Sequence, residues 1–270
     1  MERAEVIRIH GIHKAFNTHQ VLGGIKLSLL TCETVSILGA SGSGKSTLLK
    51  LIAGLIKPGR GQIFLFGQDI VPLSEQQLLP LRRRIGVVFQ EAALFDSLTV
   101  LENIAFPLRL HTKSKEKEIR DRVAECLERV GLPGIEQQYP LELSGGMRKR
   151  VGIARALALR PEVVLFDEPT AGLDPKNARM ICELVAGLRR RPCETALVVT
   201  HDLGCAFAMS NQIAFLHRGA ILETASPENF RNSSRPEVQA FLEGAFDQPT
   251  AVRPVNGRSP WSRGAMSRAS

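Results

Sequence analysis

Gly39-Ala40-Ser41-Gly42-Ser43-Gly44-Lys45-Ser46, with Thr47 next to it, is the stretch from which the fold can be read. It has the form Gly-x-x-x-x-Gly-Lys-Ser and separates two patterns of different period. Upstream, Thr34-Val35-Ser36-Ile37-Leu38 is a short apolar run of strand type. Downstream, Leu48, Leu49, Leu51, Ile52 and Leu55 fall on the buried side of a helix that Lys57-Pro58-Gly59 should stop. Glycines in such a turn let backbone N–H groups converge on an anion. Lys45 can then reach the outer phosphates of a nucleotide, and the Ser46 hydroxyl can ligate Mg2+. The positive end of the following helix faces the same anion.

Outward from this loop the chain alternates. Val6-Ile7-Arg8-Ile9, Ile25 to Leu29 and Gln62 to Phe66 read as strands with turn residues between them. Ile85-Gly86-Val87-Val88-Phe89 is a buried strand ending at Gln90. From about 91 to 151 the pattern turns helical, with Ile119, Val123, Leu127 and Val130 on one face. Strand and helix then alternate again: Val163 to Phe166, a helix over 178–188, Ala196 to Thr200, and a hairpin turning at Arg218-Gly219. The expected architecture is α/β. A mostly parallel, P-loop (RecA-like) core carries an antiparallel β subdomain at the start and an inserted α-helical subdomain. Residues 1–244 form one nucleotide-binding domain, and 245–270 a basic, Pro/Ser/Gly-rich tail expected to be flexible or to serve as a docking arm.

Composition narrows the partners. The chain has 270 residues, 44% hydrophobic and 23% charged, an ordinary composition for a folded domain. No window holds about 18 consecutive apolar residues, so no membrane-spanning helix is expected. The start, Met-Glu-Arg-Ala-Glu, lacks the apolar core of a secretory leader. Five cysteines (32, 126, 182, 193 and 205) without Cys-x-x-Cys spacing argue against a disulfide framework or zinc ribbon, and are expected as reduced thiols in the core. The net charge of +8 permits an anionic partner without choosing one. The runs Arg82-Arg83-Arg84, Arg148-Lys149-Arg150 and Arg189-Arg190-Arg191 have no interleaved aromatic residues, so they are expected as solvated helix faces and not as a nucleic-acid track. His10 and His13 lie three apart on a strand, hence on opposite faces, which argues against a shared metal.

Two further motifs carry chemistry. Val163-Val164-Leu165-Phe166-Asp167-Glu168 is an apolar strand ending in two carboxylates. Downstream of a phosphate loop, Asp167 is placed to hold Mg2+ through its shell and Glu168 to polarise a water in line with the γ-phosphate. Leu143-Ser144-Gly145-Gly146-Met147 opens a helix, with Ser144 as N-cap and Gly145 and Gly146 exposing the first N–H groups. This is a second anion nest. One nucleotide has no use for two nests in one subunit, so the economical reading is a dimer in which each Ser-Gly-Gly nest closes on the nucleotide of the other chain.

The order of phosphate loop, glutamine-ended strand, Leu-Ser-Gly-Gly, Asp-Glu, Leu-Asp and histidine resembles the ATP-binding cassette (ABC) ATPases over roughly residues 5–244. The resemblance implies ATP and Mg2+ as cofactors and ATP hydrolysis at a head-to-tail homodimer interface. Gln90 resembles the glutamine that senses the γ-phosphate and Mg2+ and faces the membrane subunit. Glu168 resembles the catalytic glutamate, Gly172-Leu173-Asp174 the loop crossing the dimer seam, and His201 the switch histidine. Phe16, 23 residues before Gly39, stands where the family has an aromatic ring stacked on adenine. Met147 departs from the commoner glutamine.

The signature Ser144 to Arg150 and the stretch Phe89 to Arg109 are similar to the Mla/Mce-type lipid transport ATPases. That similarity implies integral membrane permease subunits, a substrate-binding protein with an Mce domain, a STAS-domain subunit, phospholipid or another hydrophobic cargo, and a peripheral place on the cytoplasmic face of the inner membrane. The apolar stretch from Ala92 to Leu108 is the expected permease dock. An importer of amino acids or another small solute shares every catalytic motif and is the alternative. A non-transport ABC ATPase acting on nucleic acid is the remote one, since no long heptad run separates loop and signature. A GTPase is excluded by the absence of Asn-Lys-x-Asp.

Overall fold

The computed structural model describes residues 4–188 and 194–246, without the side chains of 245–246. Arg189-Arg190-Arg191, Cys193, Trp261 and the tail from 247 onward lie outside the described residues.

Two sheets are packed together. The first is antiparallel and contains β1 (Glu5–Phe16), β2 (His19–Leu30), β4 (Arg60–Leu65) and β5 (Gln68–Asp69), in the order β2-β1-β4-β5. The second contains β3 (Thr34–Leu38), β6 (Ile85–Val88), β7 (Val163–Asp167), β8 (Thr195–Thr200), β9 (Gln212–His217) and β10 (Ala220–Ala225). Its order is β10-β9-β3-β8-β7-β6, parallel except for the β9–β10 hairpin. All residues of β3, β7 and β8 are buried, as a parallel sheet covered on both faces requires.

The pleat sorts their side chains. Val163, Leu165, Leu197 and Val199 point to a core shared with the antiparallel sheet and with α1 (Lys45–Ile52). Val164, Phe166, Ala196 and Val198 point to a second core, shared with α3 (Val100–His111), α4 (Glu116–Arg129), α5 (Gly145–Leu157) and α6 (Pro175–Leu188). Ile119, Val123, Leu127 and Val130 are buried there, as their spacing requires. The loop before α3 is held by Asn103, fully buried. It accepts from Phe95 N–H at 2.8 Å and donates to the carbonyls of Phe95, Leu98 and Thr99 at 3.0–3.1 Å. Thr99 and Glu102 cap the helix reciprocally.

Several expectations change. α1 stops at Ile52 because Gly54 turns left-handed (φ 67°), so Leu55 is exposed and not on the buried face. The sequence reading missed α2 (Glu75–Arg82), α8 (Pro227–Arg231) and α9 (Pro236–Phe246). A bulge at Gly11 (φ 61°) breaks the alternation of β1, so His10 and His13 are both exposed and not on opposite faces. Among the described residues no acidic, histidine or cysteine cluster suits a metal. Cys182 on α6 and Cys205 on α7 (Leu203–Met209) form a disulfide with Cα atoms 5.6 Å apart, against the expectation of reduced thiols. Cys126 is a buried thiol, as expected.

In the two described basic runs Arg83 and Arg148 are exposed as expected, but several of the cations are tied to partners and are not free solvated faces. Arg82 pairs with Glu75 at 2.7 Å and Arg84 with Glu162 at 2.5 Å. Arg148 donates to the Leu143 carbonyl at 2.6 Å and Arg150 to those of Val130 and Gly131 at 3.2 Å.

Candidate functional site

β3 ends where the phosphate loop begins, at the carboxyl edge of the parallel sheet, the position at which open α/β sheets bind ligands. Gly39 is fixed by crowding: a Cβ there would stand 2.3 Å from the Leu216 carbonyl oxygen and 2.8 Å from Ser43 Oγ. Gly44 (φ 103°) forms the N-cap of α1 in a conformation that glycine adopts freely. The loop's outer residues Ala40, Ser41 and Gly42 are exposed, with Ser43 and Thr47 half-buried. Lys45 is buried, and its Nζ donates to the carbonyls of Gly39 at 2.9 Å and Ala40 at 3.1 Å. Ser43 Oγ is buried without a partner, a polar atom that a phosphate oxygen would satisfy.

The two carboxylates arrive together at the end of β7, which lies beyond β8 from β3. Ser46 Oγ donates to Asp167 Oδ1 at 2.9 Å, bringing together a hydroxyl and a carboxylate oxygen of the kind a hard divalent cation takes. Burial holds the Asp167 carboxyl above the usual carboxylate range. The Ser46 hydrogen bond opposes that rise, and the charge of Glu168 adds to it. Glu168 is buried and left-handed (φ 47°), a conformation few non-glycine residues adopt. Its Oε1 lies 3.6 Å from Lys45 Nζ, and its Oε2 lies 3.0 Å from His201 Nδ1. The His201 backbone N–H also donates to Oε2, at 3.3 Å. This arrangement follows from strand pairing, because Asp167 on β7 stands beside Val199 on β8, two residues before His201. The residues fit a magnesium nucleotide: a glycine cradle, a lysine, an oxygen pair for the metal, and a buried carboxylate beside both lysine and histidine.

Residues 39–47, Asp167, Glu168 and His201 therefore converge. Gln90 is exposed two residues beyond β6, on the same carboxyl edge, since Val88 pairs with Phe166. Phe16 is exposed at the end of β1, with Lys14 Nζ 5.0 Å from its ring centroid. Its hairpin continues into Val21 and Leu22, which pack against Gly44. Ser144, Gly145, Gly146 and Asp174 form a separate group. Ser144 accepts from Met147 N–H at 3.3 Å, capping α5. Gly146 packs so closely on Asn177 that a Cβ would meet its side chain at 2.7 Å. Asp174 accepts from the Asn177 amide at 2.5 Å, which holds its carboxyl below the usual range. Among the described residues, no hydrogen bond joins this group to the loop 39–47.

Two cations on α5 were not singled out from sequence. Lys149 donates to the Ala171 carbonyl, just past Glu168, and burial pulls its ammonium below the usual lysine range. Arg155 donates to the carbonyls of Ala92 and Ala93, both at 2.8 Å. Only their place in a basic helix was readable, not their carbonyl partners.

A family model described as "ABC transporter" matches residues 22–171. The chain is 41% identical over 244 residues to "Probable ribonucleotide transport ATP-binding protein mkl" of Mycobacterium leprae, covering 90% of this chain and 70% of that one. It is 41% identical over 241 residues to "Methionine import ATP-binding protein MetN" of Caulobacter vibrioides, covering 89% and 72%. It is 38% identical over 261 residues to "Protein TRIGALACTOSYLDIACYLGLYCEROL 3, chloroplastic" of Arabidopsis thaliana, covering 90% and 75%. The fold resembles the dimeric, post-hydrolysis ATP-binding cassette MJ0796 bound to ADP and Pi, with TM-score 0.76 and 34% identity over 82% of this chain and 98% of that one. The phosphate loop, the paired carboxylates and these similarities together mean that the chain belongs to the ABC transporter family, as a cassette that hydrolyses ATP with Mg2+.

Proposed function

We propose that this chain is the ATP-hydrolysing subunit of a membrane transporter, acting as a head-to-tail homodimer on separate permease subunits at the cytoplasmic face of the membrane. One observation carries the reading: the glycine loop 39–46 and the Ser144-Gly145-Gly146 helix end, which we read as two anion nests, share no hydrogen bond among the described residues. Two copies facing head to tail would bring each nest onto the other's nucleotide. Among the described residues no helix is long and apolar enough to cross a membrane.

Mg2+ supplies charge neutralisation at the transferring phosphate. Lys45 and the loop N–H groups bind and orient the phosphates, and Ser46, Asp167 and Gln90 hold the metal. Phe16 stacks on the adenine. Glu168 takes the proton of the attacking water, and His201 fixes that carboxylate and reaches toward the γ-phosphate. Asp174 crosses the seam beside the partner's site.

The relatives named for ribonucleotide transport, methionine import and sulfate/thiosulfate import favour import of a small solute. A second reading, export or import of phospholipid with Mce- and STAS-domain partners, is favoured by the glycolipid in the name of the Arabidopsis relative. The permease dock is the same in both. Phe95 and Phe106 are exposed with ring centroids 5.2 Å apart, beside the Asn103-held loop. Phe95→Asp should abolish co-purification with the permease without lowering the melting temperature. In a deletion strain, lost uptake of a polar solute with an intact envelope would support the importer; lost detergent resistance with normal uptake would support the lipid reading. Unchanged co-purification would refute the dock.

A further inference from the structure

The segment after Gln90 is bent by two consecutive left-handed residues, Ala92 (φ 59°) and Ala93 (φ 50°). Alanine seldom adopts this conformation once, and two in succession persist only where the surroundings impose them. Helix α5 imposes them here. Arg155 Nη1 donates to the Ala93 carbonyl and Nη2 to that of Ala92, each at 2.8 Å. One turn earlier, Gly152 lets Ala92 in so closely that a Cβ on the glycine would stand 3.1 Å from the Ala92 Cβ. Ala92 is buried against that surface.

Arg155 has no carboxylate partner among the described residues. Burial pulls its guanidinium below the usual arginine range, with two carbonyls as its compensation. What the guanidinium adds is geometry, because its planar fork fixes two adjacent carbonyls at once. Those carbonyls lie between Gln90 and the exposed Phe95–Phe106 pair.

We propose that Arg155 is a positioning residue that latches the 92–93 bend to the signature helix α5, so that movement of Gln90 passes into the helical subdomain. This rests on the reading of Gln90 as the phosphate sensor. Without the latch, a slack segment would absorb the movement, and Ser144 would no longer follow the nucleotide.

The test uses the full chain with MgATP. Arg155→Lys keeps the charge but loses the planar fork that fixes both carbonyls in one geometry. It should lower kcat by at least about tenfold while KM for ATP changes by less than about twofold, since misplacing a distant group costs turnover more than binding. Gln90→Ala combined with Arg155→Lys should be no slower than the slower single variant. An additive double variant would overturn the latch. A silent Arg155→Lys beside a slow Gln90→Ala would overturn the latch alone. A silent Gln90→Ala would remove the sensor reading, and the latch with it.

If Arg155→Lys fails to fold, hydrogen exchange of the wild-type chain decides. Amides 91–95 and those of α5 should gain protection together when a non-hydrolysable ATP analogue and Mg2+ are added. Protection at one segment without the other would refute the coupling.

Discussion

Replacing Glu168 with glutamine changes one charge and almost no shape at a carboxylate 3.0 Å from His201 Nδ1 and 3.6 Å from Lys45 Nζ. The amide can keep both side-chain contacts by turning its oxygen to Lys45 and its NH2 to the imidazole, giving up only the 3.3 Å bond from the His201 backbone N–H. The buried setting should therefore stand, and the melting temperature should stay within about 2 °C, as for a near-isosteric change. On the proposed reading, the lost function is proton acceptance from the attacking water. General-base catalysis contributes about 10²–10⁴-fold, which at 1.36 kcal/mol per tenfold is about 2.7–5.4 kcal/mol of barrier. ATP should bind as well as before or more tightly, because Lys45 loses a competing carboxylate and the loop 39–46 is untouched. Turnover is measured by phosphate release, affinity by titration with a fluorescent ATP analogue, and dimerisation by size-exclusion chromatography with MgATP. The expected result is slow hydrolysis with an ATP-bound dimer that accumulates. Turnover within about threefold of wild type would mean that another group takes the proton.

Three further outcomes follow from the same geometry. Ser144→Arg should abolish turnover while leaving monomer affinity for ATP unchanged. A mixed dimer carrying Lys45→Ala on one chain and Ser144→Arg on the other should retain one working site, and its complete inactivity would contradict the shared-site reading. Gly39→Ala forces a Cβ to within 2.3 Å of the Leu216 carbonyl oxygen, so nucleotide affinity should fall at least tenfold by titration, on the order of 1.4 kcal/mol or more. Arg122→Ala frees the carbonyls of Leu157 and Ala158, which Arg122 holds at 2.5 and 2.9 Å, and should cost about 1–3 kcal/mol in chemical unfolding.

What could be read from the sequence was contiguous. The loop 39–46 and the pair Asp167-Glu168 each carry their chemistry within a few residues, and the strand–loop–helix order fixes where they sit. Contacts made by strand neighbours were not readable. Glu168 meets His201 only because β7 lies beside β8, and Arg155 meets Ala92 and Ala93 across 62–63 residues of chain. The missed α2 has a readable capping box, Ser74 with Gln77, but buries only Leu78 and Leu81, too little for a helical period to stand out. The Cys182–Cys205 bridge was hidden because its two helices meet only in the folded chain, and spacing alone gives no connectivity. The basic run at 148–150 was misread because composition does not show that a lysine or arginine can reach back to a carbonyl one turn away or farther.

The central sheet keeps two hydrophobic interiors apart. Along β7 and β8 every second side chain answers to the antiparallel sheet and α1, and those between answer to α3, α4, α5 and α6. A change in size at Val164 is absorbed among the helices, whereas one at Leu165 is absorbed beneath the phosphate loop. Substitutions on the helical side and on the loop side thus act nearly independently wherever they share no partner. Such a layout lets the helical side be recut by descent to suit a new membrane partner while the phosphate-handling side keeps its shape. A single motor design can in this way serve transporters with unrelated cargo.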